Sequence, residues 1–250
     1  MIEILYQNSD LLLVNKPAGM LVHHSWLDKH ETIFLMQTLR NQIGQHVYPV
    51  HRLDRPTSGV MLFALNAQTA RFLTQQFENR EIIKTYHAIV RGWTADSGSI
   101  DYPLQEEHDK IADAFASKDK QAQSALTDYH TLQRTELPFS VDKRFTTSRY
   151  SLVEITPHTG RKHQIRRHLK HIFHPIIGDT THGDLKQNKA IRELCGNTRL
   201  LLHAQSLTFR LPETNENITV CAPYDTAWQH VCRAFLWENA YNPHLSSIHH

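Results

Sequence analysis

Asp54 lies in a run of residues whose types could do chemistry: His51, Arg52, Leu53, Asp54, Arg55, Pro56, Thr57, Ser58 and Gly59. Pro56 disfavours helical backbone at Arg55 and keeps the segment extended, while Thr57, Ser58 and Gly59 supply turn chemistry. A carboxylate on such a loop, close to guanidinium groups, is favoured in its ionised form, as a nucleophile or general base requires. The same residues also suit a surface turn with an aspartate in ordinary ion pairs, the commoner outcome for an isolated R-x-D.

A second concentration of chemistry lies downstream. Arg149, Arg161, Lys162, Arg166, Arg167 and Lys170, with His158, His163 and His168 among them, face one carboxylate, Glu154. Such a patch attracts phosphate, although a charge run is also the usual composition of a solvated helix face. It follows Thr159-Gly160, and the amides of a helix starting there favour anions. Tyr86 is open to two readings, a ring packed on a sheet and a ring stacked on a ligand. The histidine pairs His163 with His168 and His23 with His24 lack the helical H-x-x-x-H spacing with a nearby glutamate, so no metal is expected. Neither a Walker loop nor a G-x-G-x-x-G run is present, which leaves a nucleotide cofactor without a cradle.

The elements that must position these groups follow from periodicity. Leu11 to Val14 is a short apolar run ending in Asn15-Lys16-Pro17-Ala18-Gly19, a buried strand entering a turn. Ile33, Met36, Leu39 and Ile43 recur at helical spacing and stop at Gly44. Val60 to Leu65 reads as a core strand, and Asn66 as the cap of a helix carrying Ala70, Leu73 and Phe77. Alternation from Thr85 to Arg91, closed by Gly92, makes a strand that carries Tyr86. Residues 94 to 149 carry a weaker pattern, and within them the highly charged 101–120 stretch and the polar 134–149 stretch, with its one proline, read as loops or elaborations. Tyr150 to Ile155 is a strand, 156–160 a loop, and Arg161 to His171 a short basic helix. Trp228, Val231, Cys232, Phe235 and Leu236 mark a final helix capped by Asp225 or Thr226. Strands and helices mix without strict β-α-β alternation, so an α+β domain on a mixed or antiparallel sheet is expected.

The composition of the 250-residue chain is 40% hydrophobic and 21% charged, as expected for one ordinary globular domain over residues 1–250. No apolar run approaches the roughly 20 residues of a membrane span, and the N-terminus lacks a signal core, which points to the cytoplasm and away from membranes. Cys195, Cys221 and Cys232 are odd in number and unpaired by spacing, hence expected as free thiols. A net charge of +2 does not by itself announce a nucleic-acid binder.

The segment His51-Arg52-Leu53-Asp54 with Thr57-Ser58-Gly59 resembles the signature of the RluA family of pseudouridine synthases. Asn15 to Gly19 resembles the family's K-P-x-G element, Lys84 to Val90 its tyrosine strand, Gly160 to Arg166 its third motif and Leu202-His203-Ala204 a fourth, all in the family's order. Segments 22–28, 109–113 and 182–188 resemble the branch acting on uridine 65 of tRNA. The resemblance implies a mixed α/β fold on a central, largely antiparallel sheet, no metal or organic cofactor, and no N-terminal S4 module. It assigns Asp54 as the catalytic carboxylate, Arg52 to the space left by a flipped nucleotide, Tyr86 to the uracil face and Arg166 to Asp54. Arg161, Arg167 and Lys170 are then expected to bind substrate phosphate. The rivals are a synthase for ribosomal RNA or another tRNA site, a catalytically silent RNA-binding or chaperone protein on the same fold, and a metal-dependent RNA hydrolase, for which no ligand cluster is found.

Overall fold

The computed structural model describes residues 1–23, 33–106 and 121–237. Segment 109–113, His24 and the remainder of segment 22–28 lie outside the described residues. In chain order the elements are β1 (Glu3–Gln7), β2 (Leu11–Lys16), α1 (Leu35–Ile43), β3 (Tyr48–Pro49), β4 (Ser58–Ala64), α2 (Ala67–Glu78), β5 (Ile83–Arg91), β6 (Ser97–Asp101), β7 (Leu126–Leu137), β8 (Ser148–Pro157), α3 (Gln164–His171), α4 (Leu185–Cys195), β9 (Leu202–Arg210), β10 (Asn217–Cys221) and α5 (Thr226–Ala234).

The strands form one mixed sheet in the order β1-β2-β4-β9-β5-β8-β7-β6, with β10 added to β9 and β3 to β4. Every pairing between these strands is antiparallel except β4 with β9, where Ser58 meets His203 and Gly59 meets Ala204. The expected α+β class is therefore observed. β4 is buried along its whole length, as its unbroken apolar run requires of a strand covered on both faces. Asn66 caps α2 by accepting from the Thr69 amide, Gly44 ends α1 at φ 72°, and Asp225 caps α5 by accepting from the Trp228 amide.

Two apolar clusters share the sheet. One joins β2 and β4 to α1, and the other joins β5 and β8 to α3 and α5, and Tyr86 packs against both. The phenol ring thus stands where the two cores meet, with its backbone fixed by pairing to Ile155 and Ala204. Gly59 is required at the join of β4 and β9. Its φ is 112°, and a Cβ there would stand 2.2 Å from the Ala204 carbonyl oxygen. Gly59→Ala should lower stability by about 2–3 kcal/mol, measured by urea unfolding, and a change below 0.5 kcal/mol would contradict this account.

Three expectations need correction. The 134–149 stretch is not merely a loop, because it holds the end of the twelve-residue β7 and the start of β8, while β6 and the rest of β7 fall in the part of 94–149 that carried no assignment. Polar side chains such as His130, Gln133 and Arg134 cover much of β7, which removed the apolar signal while leaving the backbone free to pair with β6 and β8. The basic helix starts at Gln164, not Arg161, since His163 has φ 54° and the Gln164 side chain accepts from the Arg161 amide. Leu236 leaves the stripe of α5, with φ 61° and 77% exposure.

Candidate active site

Asp54 is on the loop between β3 and β4. The Thr57 amide donates to the Asp54 carbonyl, and the loop is tied to the β2 turn by Gly19 N–H to the Arg55 carbonyl and Arg55 Nε to the Gly19 carbonyl. The clamp is completed by Lys16. Its wholly buried ammonium donates to the carbonyls of Pro17, Arg55 and Thr57 at 3.0, 3.0 and 2.8 Å. Burial, then the charge of Arg199, lowers the Lys16 pKa to about 7, while Asp54 acts in the opposite direction. The K-P-x-G element thus holds the carboxylate loop from below.

Arg166 extends from the first turn of α3 and is 4% exposed. Its Nη1 donates to Asp54 Oδ2 at 3.2 Å, while Nε and Nη2 form a bidentate pair with Asp179 at 2.7 and 2.9 Å. Asp179 is itself buried and accepts from the amides of Thr181 and His182. Burial pushes the Asp179 carboxyl up, but the hydrogen bonds from Arg166 and His182 more than offset it and hold it below the ordinary range. The guanidinium is therefore fixed on one side by a buried carboxylate and offers its remaining fork to Asp54. Oδ1 of Asp54 accepts no hydrogen bond among the described residues. His163 Nε2 is 3.9 Å from Asp54 Oδ2, and its Nδ1 shares a 3.0 Å hydrogen bond with His182 Nε2.

Asp54, Tyr86 and Arg166 line one open cleft of about 980 Å³, large enough for a flipped nucleotide with its neighbours. Arg52 and Arg161 line it too, Arg52 being exposed and Arg161 anchored through Nε to the Ser124 carbonyl. Arg167 and Lys170 are not among its lining residues; they lie beyond it on α3, half-buried and exposed respectively. Burial, then the charge of Asp54, pushes the Tyr86 phenol well above its usual range. Tyr86 is therefore a neutral aromatic face next to an anionic carboxylate.

The histidine pair His163 and His168 is split. His168 is buried between Thr127 Oγ1 and the Tyr102 carbonyl, away from the His163–His182 contact. Among the described residues no group of three or more histidine, cysteine or acidic side chains is placed to hold a metal. Sequence reading gave no individual role to Lys16, Asp179 and His182, which contact the Asp54 loop, Arg166 and His163 respectively. Asp179 had no local signal, because its partner lies one helix away. Gln164 was visible only as part of a motif, yet its amide donates to the Leu126 carbonyl and Thr127 and accepts from Thr159, joining α3 to β7.

A sheet with one parallel step, carrying an aspartate loop, a tyrosine strand and an arginine helix around one cleft, defines a class. The chain belongs to the RNA pseudouridylate synthase family, whose sequence pattern matches residues 10–171. It is thus an isomerase that converts uridine in RNA to pseudouridine. Among curated relatives, it is 58% identical over 248 residues to tRNA pseudouridine synthase C of Pasteurella multocida (strain Pm70), covering 99% of each chain. It is 57% identical over 240 residues to the tRNA pseudouridine synthase C of Vibrio cholerae serotype O1, covering 96% of this chain and 98% of the relative. Among solved structures, human RNA Pseudouridylate Synthase Domain Containing 1 superposes with a TM-score of 0.70 at 26% identity, covering 91% of this chain and 88% of the human one.

Proposed function

We propose that the chain acts on tRNA at uridine 65, with Asp54 as the catalytic carboxylate of a single domain spanning residues 1–250. The observation that carries the reading is the convergence of Asp54, Tyr86 and Arg166 in one cleft. The tRNA substrate is supported by two relatives named tRNA pseudouridine synthase C that match nearly the whole chain. Among the described residues no helix is long and apolar enough to cross a membrane, and we place the enzyme with its tRNA in the cytoplasm.

The reaction breaks the N1–C1′ bond, turns the uracil and joins C5 to C1′, with no net redox change. A paired uridine must first leave its stem, at a cost of a few kcal/mol, and exposed Arg52 at the rim fills the space it vacates. Tyr86 then packs on the uracil, and a neutral phenol is suited to that role. Arg166 holds Oδ2 of Asp54, so Oδ1 is the oxygen left to meet the reacting nucleotide. Arg161 binds phosphate at the cleft, and Arg167 with Lys170 extends the phosphate track along the outside of α3.

The test is a map of pseudouridine across all RNA from cells with and without the gene. Loss at tRNA position 65 alone is expected. Loss at a ribosomal site instead would move the substrate, and an unchanged map would remove the reading.

A further inference from the structure

The cleft extends well beyond Asp54, past Tyr86 to the C-terminal end of α2. At that end His51, Phe77, Arg80 and Lys84 line its wall. His51 Nε2 accepts the Leu62 amide at 2.9 Å, so the ring proton is on Nδ1. Burial, then the charge of Lys84, lowers the His51 pKa to about 3, and the ring is neutral at any working pH. Its Nδ1–H has no acceptor among the described residues, and its ring stacks on Phe77 with centroids 4.8 Å apart. Lys84 is half-buried beside Arg80, and neither forms an ion pair among the described residues. The nearby acids do not neutralise them. Glu81 is engaged by Arg210, and exposed Glu78 on the cleft wall pairs with neither cation.

Arg80 adds an independent sign. The α2 terminus is a Schellman turn, with the Glu81 amide donating to the Gln76 carbonyl and the Arg80 amide to the Phe77 carbonyl. The position between them takes a left-handed backbone, here φ 60°, where glycine is the default and asparagine the usual alternative. An arginine there carries backbone strain that the turn does not need. Strain kept in a binding cleft marks a side chain selected for what it contacts.

We infer that His51, Arg80 and Lys84 form a second subsite that binds a backbone phosphate of the RNA strand flanking the flipped uridine. All three present donors, two carry positive charge, and an oxyanion is the ligand that such a set fits. The inference rests on the assignment of tRNA as substrate, and it fixes the strand's path from Asp54 toward α2.

The test is binding of fluorescently labelled tRNA at salt concentrations from about 50 to 200 mM, with thermal unfolding measured on the same samples. Lys84→Gln should flatten the slope of log affinity against log salt by up to about 0.7–0.9, the contribution of the one phosphate it shares with Arg80, and Lys84→Arg should restore it. Arg80→Gly should flatten the slope similarly while its Tm stays level or rises, because the turn strain is relieved. A structural role would instead lower Tm and weaken binding equally at every salt concentration. Unchanged slopes in Lys84→Gln and Arg80→Gly, with a wild-type chain that modifies tRNA, would overturn the subsite alone. A wild-type chain that forms no pseudouridine in tRNA would overturn the underlying assignment.

Discussion

Asp54→Asn should bind tRNA with affinity within about threefold of wild type while forming pseudouridine at least about 10⁴-fold more slowly in a single turnover. The carboxamide has the size of the carboxylate and can still accept from Arg166 Nη1, so the loop clamped by Lys16 keeps its geometry. What disappears is the negative charge beside Arg166, at a carboxylate whose Oδ1 is left without a partner among the described residues. Joining C5 to C1′ releases the C5 hydrogen, so tritium placed at C5 and counted in water reads the reaction directly. Residual activity within tenfold of wild type would end the assignment of Asp54. A loss of tRNA binding as large as the loss of rate would mean that the variant had disturbed the loop instead.

The sequence exposed this chemistry unevenly, for physical reasons. Strands β2, β4 and β5 were readable because burial on the sheet imposed continuous or alternating apolar side chains from Leu11, Val60 and Tyr86 onward. Strand β7 was not, because its stability comes from backbone pairing with β6 and β8 while much of its side-chain surface meets water. Helix α4 was equally silent, burying only Ile191 among its eleven residues. At the site, Asp54, Tyr86 and Arg166 came from separate motifs, and local spacing alone left each with a bland alternative. The groups that hold them were harder to see. Lys16 looked like part of a turn, although its ammonium is the tie between two loops, and Asp179 had no feature that distinguished it from any surface aspartate. These roles depend on burial and on distant partners, which spacing does not encode.

Arg166→Met should lower stability by about 3–5 kcal/mol, because it leaves the Asp179 carboxylate buried without its bidentate partner. For a domain of this size that is a fall of roughly 10 °C in Tm. The sign of the pH dependence follows from the same pair. Asp179 has a folded-state pKa below its unfolded value, so its contribution is fully present above the ordinary carboxylate range near 4 and is lost as pH falls through the folded-state value. Wild type should therefore lose more stability on acidification than a variant lacking the pair. Arg166→Met combined with Asp179→Asn supplies that comparison, since the amide oxygen can still accept from Thr181 and His182 while no buried charge remains. The double variant should recover at least half of the lost stability and none of the lost activity. Stability and catalysis separate there because Asp179 acts through Arg166, whereas Arg166 acts on Asp54. Recovery of activity together with stability would show that Arg166 serves only as the buried partner of Asp179, and that Asp54 works without it.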